Sequence, residues 1–222
     1  MTLAKVPVGG GKGWRGMRKG LALATAAVAF GALGLQLSLM VAAHLAEGSG
    51  VVRAVWRFLG YFTLLTNLGV AVVASLLVFR PGWAGPRVRL ATLVSIALVG
   101  LVYSLALRHA WSPTGAQKLA DHALHDVTPL LFAACWLAWD HGRLTWRDAL
   151  WGIAPGLAYA VYALARGAAD GWYAYWFLDP MQSSPLELAR NIAILALGFL
   201  AAAMAIVALD RRLGSPIRPV ER

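Results

Sequence analysis

Charge is the scarcest thing in this sequence. Asp, Glu, Lys and Arg make up 14% of its 222 residues, against about 25% in an ordinary soluble domain. The deficit runs along most of the chain, so one greasy segment does not account for it. Cysteine is scarcer still. A lone Cys135 inside an apolar run excludes an intrachain disulfide and any paired-thiol redox motif. Acidic residues are also few, ten against twenty Lys and Arg, for a net charge of +10. In a soluble protein that balance would point to nucleic acid. Here no nucleic-acid partner is expected, because membrane-spanning proteins gather Lys and Arg in their cytoplasmic loops. No repeat of fixed period is visible.

What is abundant is apolar: 59% of residues are hydrophobic and the mean hydropathy is +0.64. A bilayer core calls for roughly 20 apolar residues per helix. Six stretches meet that length, at about 20–43, 58–79, 88–107, 121–139, 147–166 and 187–209. Breakers separate them, among them Arg80-Pro81-Gly82, Ser112-Pro113-Thr114-Gly115 and Asp140-His141-Gly142. The first stretch follows Lys12, Arg15, Arg18 and Lys19 as a signal peptide would, but it exceeds a 7–15-residue signal core and five spans follow it. The expectation is an all-α, polytopic transmembrane bundle of about six spans over 20–209. Basic cytoplasmic tails at 1–19 and 210–222 touch anionic lipid.

Counting cations sets the orientation. With the N-terminus inside, the inner side holds fourteen, including Lys5, Arg87, Arg89, Arg143, Arg147, Arg211, Arg212, Arg218 and Arg222. The outer side holds six: Arg53, Arg57, Arg108, Lys118, Arg166 and Arg190. Both termini are therefore expected in the cytoplasm of a multi-pass cell-membrane protein, in keeping with an even number of spans.

In that topology the polar groups collect near the outer face. His44 and His109 end the first and third spans. Thr63, Thr66 and Asn67 lie in the second, His122, His125 and Asp126 in the fourth, and Arg190 and Asn191 in the sixth. At 1.5 Å per residue, Thr63 and His125 both sit roughly 6–7 Å below the starts of their spans. Each trio falls within about 100° of one helix face. Ionisable groups at that depth face the bundle interior or a wet cavity. Thr66 and Asn67 also suit the plainer role of hydrogen bonding between helices. The segment from Trp172 to Phe177 places five aromatics in six positions, which fits an interfacial belt and equally a lid over a cavity holding acyl chains.

Three segments together, Tyr61-Phe62-Thr63-Leu64-Leu65-Thr66-Asn67, Asp121-His122-Ala123-Leu124-His125 with Pro129, and Gly171-Trp172-Tyr173 through Phe177-Leu178-Asp179-Pro180, resemble the bacterial Pr6Pr membrane-protein family. That family is similar to the animal androgen-induced protein and androgen-dependent TFPI-regulating protein, intramembrane threonine hydrolases of fatty acid esters of hydroxy fatty acids. The resemblance implies Thr63 as nucleophile, in its Tyr-x-Thr setting, and His125, second of a His-x-x-His pair, as the catalytic histidine. It departs from the animal pattern at Asp121, where Asn is expected, and at Trp176, where Pro precedes the Phe.

On that reading His125 is a general base that later protonates the leaving alcohol. Asp121, His122 or Asp126 orients the imidazole, and Asn67 donates to the oxyanion. Arg190 binds a substrate carboxylate or a lipid phosphate. Tyr61, Trp172, Tyr173 and Phe177 line the substrate. No metal or other cofactor is called for, and the partners are membrane lipids and a fatty-acid ester. Two other readings stand beside it. One is a zinc site built from His122, His125, His44, His109 and an outer aspartate. The other is a carrier, lipid-binding protein or scaffold without chemistry.

Overall fold

The computed structural model describes residues 11–109 and 112–214; Lys5, Arg218 and Arg222 of the charge count lie outside the described residues. Every regular element among them is helical. They run α1 (Lys12–Ala46), α2 (Gly50–Phe58), α3 (Phe62–Phe79), α4 (Pro86–Val102), α5 (Gly115–His122), α6 (Thr128–Leu137), α7 (Ala149–Asp170) and α8 (Pro185–Leu213). A π-helical turn at Tyr103–Leu107 extends α4, and a second at Ala123–Val127 joins α5 to α6 in one continuous rod.

Four helices are long and apolar enough to cross a membrane: α1, α3, α4 with its extension, and α8. The stretches expected as the fourth and fifth spans are helical too, but less uniformly apolar. The α5–α6 rod carries Asp121, His122, His125 and Asp126 around its π turn, and α7 carries Pro155, Arg166 and Asp170. Large apolar side chains face outward on these rods as well, with Leu130 72% and Val161 70% exposed, as Leu197 does on α8 at 64%. Lipid accepts such a surface and water does not. The chain is therefore compatible with an integral membrane protein that crosses more than once.

Two boundaries differ from the sequence expectation. Helix α1 begins at Lys12, so residues 12–19 of the basic lead are helical. Its 35 residues span roughly 50 Å at 1.5 Å each, well past a hydrocarbon core of about 30 Å. The second stretch divides at Gly60, leaving α2 as a separate short helix. A Cβ on Gly60 would strike the Trp172 ring and the Arg166 guanidinium, and its carbonyl accepts the Tyr159 hydroxyl at 2.8 Å. Helix α2 is amphipathic, burying Ala54 and Phe58 and exposing Val52 and Trp56.

Helix α4 is the hub, packed against α3, α6, α7 and α8. Val70, Leu77, Ile96, Phe132 and Trp136 knit α3, α4 and α6 together, while Val94, Phe199 and Val207 join α4 to α8. Small buried residues at helical spacing, Ala22, Thr25, Ala29 and Ala32, let α1 lie close on α3. The basic ends of α1 and α8 meet the 138–145 turn at the same end of the bundle. Arg18 pairs with Asp140 at 3.3 Å and His141 with Asp210 at 3.2 Å, and Asp210 also accepts the Gly142 and Leu144 amides.

Candidate functional site

Pro129 shapes the site from one turn away. Proline has no N–H, so a carbonyl on the preceding turn loses its helical donor. The rod relaxes into a π turn in which the Thr128 amide reaches back to the Ala123 carbonyl. In that register the carbonyl left over is that of Leu124, and the Asn67 side-chain amide donates to it at 3.2 Å from α3. The other Asn67 hydrogen goes to the Thr63 carbonyl at 2.8 Å. Asn67 is fully buried and both its donors are committed, so in this geometry it fastens α3 to the π turn and offers nothing to an oxyanion. On the far side Gly100 allows α4 to press close, since a Cβ there would lie 3.0 Å from the His125 carbonyl.

Held this way, the His125 imidazole is fixed from two directions. Its Nδ1 lies 3.0 Å from the Asp121 carbonyl and 3.3 Å from the Asp121 carboxylate. Both partners are acceptors, so Nδ1 carries the proton and Nε2 is left with its lone pair. The ring stacks on Tyr103, centroids 3.8 Å apart and 15° from parallel. Tyr103 in turn donates its hydroxyl to the second Asp121 oxygen at 2.5 Å. Asp121 is 4% exposed, so the carboxylate is enclosed with its two partners.

His125 and Thr63 line one cavity of about 90 Å³. Around them the wall is formed by Phe62, Tyr103, Tyr159, Tyr175, Phe177 and the inward face of α8 from Ile192 to Phe199. No direct hydrogen bond joins the Thr63 hydroxyl to the imidazole among the described residues. The Tyr175 hydroxyl sits beside the Thr63 hydroxyl and backbone, and burial pushes its phenol above the ordinary value, so it stays protonated as a donor. Compared with protein-family models, curated proteins and solved structures, the chain matches none. The site must be read from its own chemistry.

The other residues singled out in the sequence are placed as follows. Asp126 is held by Arg108 and by the His122 Nδ1 at 2.7 Å, a polar cluster that takes no part in the cavity wall. Phe177 is in the cavity wall, anchored by the Asn191 amide on its carbonyl at 3.0 Å. Tyr61 packs edge-on to Trp172 and Tyr175. Trp172 lies under the Arg57 guanidinium at 4.1 Å, and Tyr173 fills the space left by Gly167; neither reaches the cavity wall. Arg190 is exposed on α8. His44 bonds to its own helix at the Met40 carbonyl, and among the described residues no three His, Cys, Asp or Glu side chains gather as a metal would need. Tyr103, Tyr159 and Tyr175 belong to the site without having stood out in the sequence. The available signal is that a tyrosine within or beside an apolar stretch must find a partner for its hydroxyl.

Proposed function

We propose that the chain is a six-pass cell-membrane protein of the Pr6Pr type, with both termini cytoplasmic, that hydrolyses lipid esters through Thr63 and His125. The observation that carries this reading is a single cavity receiving a threonine hydroxyl from α3 and, from the α5–α6 rod, an imidazole whose Nδ1 is held by Asp121. An imidazole in that tautomer is a general base at Nε2, and the enclosed carboxylate stabilises the imidazolium once it forms. Thr63 Oγ attacks the ester carbonyl carbon as His125 Nε2 takes its proton, which requires the two to close to about 2.6–3.2 Å. The tetrahedral oxyanion receives a hydrogen bond from Tyr175. Collapse expels the alkoxide, which leaves as alcohol with the proton from His125. A water molecule, deprotonated by the same nitrogen, then releases the acid from Thr63.

The test is labelling and turnover by full-length protein in proteoliposomes. Thr63→Ala should lose covalent labelling by a fluorophosphonate-type probe and lower ester turnover by on the order of 10³-fold or more, with Thr63→Ser retaining both. Undiminished labelling of Thr63→Ala would remove Thr63 from the chemistry. The largely apolar wall also favours a second reading, a lipid-binding protein without turnover; it predicts lipid retention by wild type and Thr63→Ala alike, with no product from either.

A further inference from the structure

The cavity around Thr63 is small. Its volume of about 90 Å³ falls well below the roughly 300–1,000 Å³ of a pocket that swallows a whole small-molecule ligand. A second hollow of about 680 Å³ lies directly beside it, between α3 and α7, with α4 as its floor. The two share Phe62 and Tyr159 as a common wall, and those rings sit with centroids 5.0 Å apart. Tyr159 is fastened to the Gly60 carbonyl at 2.8 Å. Phe62, which also leans on Phe199 at 5.9 Å, has no polar anchor and is the free half of the partition.

The groove is shaped for a flexible hydrocarbon. Gly69, Ala91 and Ala158 keep it shallow-walled, and a Cβ added at Gly69 would meet nothing within 4 Å. The hydroxyls of Thr92 and Ser95 are turned back onto their own helix carbonyls, so they offer a ligand no free donor. Along α7 the groove runs from Trp151 to Tyr162, roughly 16 Å at 1.5 Å per residue. That is about half of a 30 Å hydrocarbon core, or one leaflet. It ends at Arg87, whose guanidinium pairs with Asp148 at 2.5 Å, a charged stop that an apolar chain does not pass.

From this geometry we infer that the α3–α4–α7 groove holds the acyl chain of a membrane lipid ester, with Phe62 as the partition through which its carbonyl end reaches Thr63. The inference rests on the Thr63–His125 reading for the position of the ester, and on the groove alone for the chain. The small cavity then accepts only the reacting group, and the distance to Arg87 limits the chain length.

Photocrosslinking and turnover test the two parts separately. A long-chain ester with a diazirine near its methyl end is photolysed with full-length protein in nanodiscs, and the crosslinked peptides are mapped. Turnover is measured for that long ester and for the acetate of the same alcohol. Crosslinks should fall on α3, α4 and α7. Gly69→Leu and Ala158→Leu, which fill the groove with good helix formers, should each lower crosslinking and long-ester turnover by at least about tenfold while leaving acetate turnover within about twofold. Crosslinks on other helices, or an unchanged long-to-acetate ratio in both variants, would overturn the assignment. If wild type turns over neither ester but crosslinks in the groove and loses them in Gly69→Leu, the acyl site stands and the hydrolase reading falls.

Discussion

At the scale of single residues, the site turns on which acidic group touches which imidazole. Asp121, His122 and Asp126 were equivalent candidates in the sequence, because each lies within about one helical turn of His125. Burial and the π turn separate them. Asp126 is drawn to Arg108 and His122, while Asp121 encloses itself with His125 and Tyr103. Asp121→Asn should therefore lower ester turnover by on the order of 10²–10⁴-fold, whereas Asp126→Asn should leave it within about threefold; parallel rate measurements on the two variants decide this. Tyr175→Phe should cost on the order of 10²–10³ in kcat with little change in KM, as loss of an oxyanion donor does. Thr63 and His125 were legible as residues because polar groups stand out in an apolar chain. Tyr175 was not, since nothing in a run of five aromatics tells which ring turns its hydroxyl inward.

Among the helices and turns, the sequence disclosed the long apolar rods and hid their irregularities. A period count carries no sign of a π turn, yet one extra residue in a turn swings the preceding side chains by roughly 100° relative to the following ones. Pro129→Ala returns the missing N–H and lets the rod close as regular α-helix. Probe labelling at Thr63 should then slow at least about tenfold, while the thermal midpoint measured in detergent does not fall. The second hidden feature is the break at Gly60 and the helix it frees, α2. Trp56 of α2 donates its indole N–H to Asp170 at 2.6 Å, and the Trp172 amide donates to the other Asp170 oxygen. Desolvation pushes the Asp170 carboxyl up, but those two hydrogen bonds and the charges of Arg57 and Arg166 outweigh it and hold the pKa below its ordinary value. A depressed folded pKa means that this stabilisation is complete above the unfolded value near 3.9 and is lost as pH falls through the lower folded value. Acid titration of tryptophan fluorescence should show a step in that window, and Asp170→Asn should abolish it.

For the molecule as a whole, composition told most of the story and the bundle supplies the rest. Scarce charge and long apolar runs gave the helical class, and the outward-facing Leu130, Val161 and Leu197 fit the same picture. What composition could not give is adjacency: which helices touch follows from side-chain fit, as where Ala203 and Val94 close on Gly152. The proposed orientation predicts that a cysteine placed at Gly48 reacts with an impermeant maleimide from outside intact cells, and that one at Gly82 reacts only after permeabilisation. The reverse pattern would turn the protein over in the membrane. That experiment is made simple by Cys135, fully shielded between α1, α3 and α6. With its one thiol buried, the native chain should stay unlabelled by thiol reagents, so a spin label or fluorophore attached at any new cysteine would report from one known position, with no need to strip the background first.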